Sequence, residues 1–177
     1  MAIVAKRAEK AFEPAPAGSY QGVCVDVVDL GIVESTWDGE VKRQHKIAVV
    51  WQIGAPMRDG RPFLVRERYT LSLGDRSRLR PMLESWRGRA FSEAELDGFD
   101  VESVLGANCL LSIIHKQGTK GGTFANVASV SPLIKGMAKM APKDYVRVAD
   151  REPTAVDAPA HDDSQHESVV DFDDIPF

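Results

Sequence analysis

Cysteine is almost absent from this chain. Cys24 and Cys109 are the only two, and each lies inside an apolar run, where it reads as a small core residue. A reducing cytoplasm is therefore the expected compartment. Long apolar runs are missing too. No stretch approaches the ~20 residues that cross a bilayer, and residues 1–10 hold no apolar signal core. Patterns that carry catalysis are equally scarce. The glycine-rich run 117–122 lacks the spacing of a phosphate-binding P-loop and follows a strand rather than opening a helix. His45 and His115 have no Cys, Glu or second His at metal-ligand spacing. His161, Asp162, Asp163 and His166 sit in a polar stretch and read as solvated side chains. Neither a nucleophile elbow nor a deaminase signature is present. No enzyme, metal or cofactor is expected.

What is present is an ordinary globular composition with its charge unevenly spread. Hydrophobic residues make up 44% and charged residues 27% of the 177, enough to bury a core without cross-links. The net charge of −4 comes from 22 Lys+Arg against 26 Asp+Glu. Residues 1–148 hold 21 basic and 17 acidic side chains, a net of +4, whereas 149–177 hold Arg151 against nine acids, a net of −8. That second segment has almost no apolar residue before Val169 and is interrupted by Pro153 and Pro159. It cannot bury enough surface to offset its ordering entropy and is expected as a disordered acidic tail. Residues 1–18, rich in Ala, Lys, Glu and Pro, read as a flexible leader, which leaves a mildly basic domain over 19–148.

The domain reads mainly as strands. Val23, Val25 and Val27 alternate within 19–30 and point to a first strand. A polar connection over 31–40 contains the turn signal Asp38-Gly39. Residues 41–53 form a second strand with Ile47, Val49, Trp51 and Ile53 on one face and Lys42, Gln44 and Lys46 on the other. Residues 62–73 give a third, with Val65, Tyr69, Leu71 and Leu73 facing one way and Arg66, Arg68, Thr70 and Ser72 the other. Leu79, Met82, Leu83 and Trp86 then follow helical spacing, with Ser77 as N-cap and Gly88 as C-cap. Residues 92–95 carry a capping-box pattern for a short second helix. Strands resume over 108–116 and 123–131, joined by the loop 117–122. Three strands, a helical insert and a two-stranded hairpin match a five-stranded barrel of the OB type, whose helix lies between strands three and four.

Such a barrel takes oligonucleotides on strands two and three and on the loops after strands one and four. Here that surface would carry Lys42, Arg43, Lys46, Arg66, Arg68 and Lys120 as phosphate contacts. Trp37 and Phe124 would supply rings for base stacking. Trp51 and Tyr69 share faces with aliphatic residues and are assigned to the core. A different signal closes the chain: Asp171, Phe172, Asp173, Asp174, Ile175, Pro176 and Phe177. Apolar residues return here among carboxylates, and Phe177 puts a ring and a carboxylate on one residue. That pairing suits a partner with an apolar pocket and a basic rim.

The run 171–177 resembles the acidic tip of bacterial single-stranded DNA-binding proteins, with one Asp fewer. Leu105-Gly106, His115-Lys116, Gly121, the run Phe124-Ala125-Asn126-Val127 and the run Val130-Ser131-Pro132-Leu133 resemble the single-stranded DNA-binding proteins encoded by bacteriophages. The leader and the insert over 77–105 depart from the bacterial family. Its tetramer does not carry over, so a homo-oligomer of some kind stays open. The resemblance implies a protein of the bacterial host cytoplasm that coats single-stranded DNA during phage replication, recombination or repair. Its tip would recruit enzymes of those processes through Phe177. The alternative is an adaptor or inhibitor that mimics the host protein's tail to capture host repair enzymes, with a body that binds protein. No membrane partner is expected in either case.

Overall fold

The computed structural model describes residues 13–151. The acidic segment from 152 onward, with the expected docking tip 171–177, lies outside the described residues, as does most of the expected leader. Five strands are present: β1 (Gly18–Trp37), β2 (Glu40–Pro56), β3 (Pro62–Thr70), β4 (Asn108–Gln117) and β5 (Thr123–Ser131). Every pairing is antiparallel, and the sheet order is β3-β2-β1-β4-β5. β3 and β5 are therefore the edges of the hydrogen-bonded sheet, and no ladder closes it into the expected barrel. The two edges nevertheless approach one another across the core. The buried Glu67 of β3 bridges them, accepting the N–H of Val127 on β5 at 3.2 Å.

β1 is longer than its apolar alternation implies. The polar stretch expected as a loop instead pairs with β2 out to Trp37 and Glu40, forming a two-stranded arm. Asp38 and Gly39 close it with φ of 50° and 78°, the left-handed pair that a tight hairpin turn requires. Two register shifts, between Cys24 and Asp26 and between Asp29 and Gly31, put extra residues into β1. The first changes which residues share a face. Val23 and Val25 pack in a small cluster on the outer side of the sheet, whereas Val27 packs against the main core. The expectation of three valines on one face is thus corrected by a bulge.

The inner face buries Ile47, Val49, Trp51 and Ile53 as expected, with Cys24, Val65, Tyr69, Cys109, Leu111 and Ile113. β3 ends at Thr70, so Leu71 and Leu73 fall beyond it, and Leu71 is exposed. The helix α1 (Leu79–Arg87) closes the core with Leu79, Leu83 and Trp86, and Gly88 caps it at φ 70°. Ser77 Oγ accepts the N–H of Leu79, so it caps the helix from one residue before the formal N-cap, Arg78. The short α2 (Glu93–Leu96) carries the expected capping box between Ser92 and Glu95. Ala15, inside the expected leader, is buried in the core, and its carbonyl lies 2.7 Å from His115 Nε2.

After β5 the chain makes a strap over 138–148 that crosses the outer face. Gln21 Nε2 donates to the Ala138 carbonyl at 2.7 Å, and Asn108 exchanges two hydrogen bonds with Met140. Gln52 likewise donates to the carbonyl of Lys143 and accepts its N–H. Asp26, 1% exposed, receives Tyr145 Oη, Arg147 Nε and the Val148 N–H at 2.9, 3.3 and 2.8 Å. Val148–Asp150 then forms a 3-10 turn at the start of the expected tail. Among the described residues no helix is long and apolar enough to cross a membrane.

Candidate nucleic-acid interface

The pleat of β2 and its pairing with β3 decide which cations share a surface. Lys46 stands opposite Thr70, Ala48 opposite Arg68, and Val50 opposite Arg66. Side chains alternate along a strand, so Lys42 and Lys46 lie on the same outer face as Arg66 and Arg68. Trp37 pairs with Glu40 at the end of the arm and falls on this face as well. It is 64% exposed, whereas Trp51 and Trp86 are buried. Arg43 occupies an odd position of β2 and lies on the opposite face, where its guanidinium meets Glu34 at 2.6 Å. Lys120 is exposed in the turn after β4, on a separate hairpin. Phe124 stands at the base of that hairpin, its ring folded over Gly118, where an added Cβ would lie 2.5 Å from it.

The electrostatics of the face favour an anion. Lys46 Nζ is held by Thr70 Oγ1 at 2.7 Å. Partial burial pushes the pKa of Arg66 down, and the like charge of Arg68 pushes it further. A cation with part of its hydration removed and a second cation beside it is stabilised by any phosphate that approaches. Leu64 extends the same face with an exposed apolar side chain. Cations, an exposed indole and an exposed leucine on one face could meet both the phosphates and the bases of an unpaired strand.

Other titratable groups have structural explanations. His45 Nε2 lies 2.6 Å from Asp29, whose carboxyl is held below its ordinary value by the Gly31 N–H and then by His45. Glu95 is lowered to about 2 by Arg89 and the Ser92 N–H, with Arg87 contributing. Among the described residues no group of three or more His, Cys, Asp or Glu is arranged to hold a metal.

No protein-family model matches the chain, and no curated protein is significantly similar to it. The feature that bears on function is the surface itself. One part of that surface escapes a strand-by-strand reading. Lys135, Lys139, Lys143, Arg147 and Arg151 recur every fourth residue through the chain after β5, in a segment without strand or α-helical structure. The spacing was the available signal. What it lacked was any indication that the segment returns to the outer face.

Proposed function

We propose that the chain is a non-enzymatic, sequence-tolerant single-stranded DNA-binding protein of phage replication, recombination or repair. Its binding surface is the outer face of β2 and β3. The observation that carries this reading is the alignment of Lys42, Lys46, Arg66 and Arg68 with the exposed Trp37 along one face, from the β1–β2 arm to β3. The sheet order, the insertion of α1 between β3 and β4, and the approach of β3 to β5 fit the connectivity of an OB-type barrel. In that fold this face takes oligonucleotides. The segment 171–177 serves as a docking tip for replication and repair enzymes, with Phe177 as its anchor.

A titration with oligo-dT at two salt concentrations tests the first claim. Tryptophan emission should be quenched, because Trp37 is exposed while the other two indoles are buried. Affinity should fall steeply with salt, and duplex DNA should bind much more weakly. Equal affinity for duplex and single strands would overturn the reading. Arg66→Glu with Arg68→Glu should reduce binding to oligo-dT by at least tenfold, since two phosphate contacts become repulsive. Unchanged binding would favour the adaptor alternative, in which the body meets protein.

A further inference from the structure

The strap is a fixed element on the face that the proposed function uses. Its backbone is pinned to β2 through Gln52 and to β1 through Asp26 and Gln21. Met140 and Tyr145 pack on the outer cluster of Val23, Val25 and Val50. Val50 of that cluster is the residue paired with Arg66. The Tyr145 hydroxyl is anchored on the buried Asp26 at 2.9 Å. Its ring is therefore held in place over the outer cluster while remaining partly exposed. The guanidinium carbon of Arg151 lies 5.7 Å from the ring centroid. A cleft of about 280 Å³ opens between the strap and the β2–β3 connection, lined in part by Gln52, Pro56, Pro62, Met140 and Lys143.

We propose that this strap is one wall of the single-strand path, with Tyr145 as a base-stacking platform and Lys143 as a phosphate contact. The inference rests on the nucleic-acid reading of the β2–β3 face and extends it to a segment with no regular secondary structure. An aromatic ring packed on the outer cluster loses little freedom when a base stacks on it, with or without its hydroxyl. Lys143 is exposed, whereas Arg147 is engaged by Asp26 and Glu102. The cation available to a ligand on this part of the strap is therefore Lys143 rather than Arg147.

The test compares wild type, Tyr145→Phe, Tyr145→Leu and Lys143→Gln, each checked for an unchanged far-ultraviolet spectrum. Binding is measured by anisotropy with oligo-dT and with an abasic oligonucleotide of the same length. Tyr145→Leu should weaken oligo-dT binding about tenfold and leave abasic binding unchanged, while Tyr145→Phe stays within about twofold of wild type. Lys143→Gln should weaken both ligands and lower the slope of log affinity against log salt by about 0.7. If Tyr145→Phe loses as much as Tyr145→Leu, the residue acts through Asp26 and the platform is overturned. If all three variants bind like wild type while Arg66→Glu does not, the strap is outside the path and the face stands alone. If wild type fails to bind either oligonucleotide, both the inference and the function beneath it fall.

Discussion

At Glu67 a carboxylate occupies the inward position between Val65 and Tyr69, where an alternating strand would carry an apolar side chain. It joins the two sheet edges through Val127, and Arg78 lies 3.8 Å away. Burial raises its pKa, against the opposing effects of the Val127 N–H and Arg78. The unfolded chain releases this proton at a lower pH than the folded one. Stability contributed by the protonated group is thus fully present below the unfolded value of 4.5 and is lost as pH rises through the raised folded value. Glu67→Gln keeps an oxygen for Val127 and removes the buried charge. It should melt above wild type at pH 7, with the gap closing on acidification to about pH 4. A gap independent of pH would show that the charge is not the cause. The cysteines make a second residue-scale case. Burial pushes Cys24 and Cys109 up to about 12, so neither should react with iodoacetamide at pH 8 until the protein is unfolded.

Two elements, the arm and the strap, depend on contacts that a local reading does not weigh. Residues 31–36 of the arm carry little alternation because both faces of a two-stranded ribbon meet water, leaving Ile32 and Val41 as exposed as Trp37. The arm is held by its ladder and its turn. Gly39→Val would force a branched side chain into the left-handed region at a cost of about 1–2 kcal/mol. Amide exchange should accelerate over 31–46 while the body melts nearly as before. The strap is held differently, by side chains of the sheet bonded to its backbone. Those bonds join residues 32, 91 and 122 positions apart. Asp26→Ala would leave three donors without their acceptor. A loss of about 2–4 kcal/mol in chemical denaturation is expected, with rapid exchange at Val148. The helical insert was far more legible. The spacing of Leu79, Leu83 and Trp86, with Ser77 and Gly88 at its ends, is local chemistry that α1 realises directly.

At the scale of the whole molecule, charge is the organising quantity. The net −4 averages a basic domain and an acidic terminal segment. The two parts make separable predictions. Deleting residues 171–177 should leave oligo-dT binding intact or stronger, yet abolish capture of replication or repair enzymes. Loss of DNA binding in the truncated chain would show that the tip has been misassigned. Charge reversal on the β2–β3 face should do the opposite, removing DNA binding and sparing enzyme capture.

The amino-acid order by itself determined the order of strands and helices, the inward set Ile47, Val49, Trp51 and Ile53, and the separation of basic from acidic chain. Each follows from periodicity or composition within a few tens of residues. Tertiary structure decided the rest. A bulge at Cys24–Asp26 divided the valines of β1 between two faces, and strand register set Lys46, Arg66 and Arg68 side by side. The strap's return over the outer face packed Tyr145 against Val23, Val25 and Val50. Those outcomes depend on pairing between distant residues, and hydrogen bonds across 90 or more positions leave no local pattern to read.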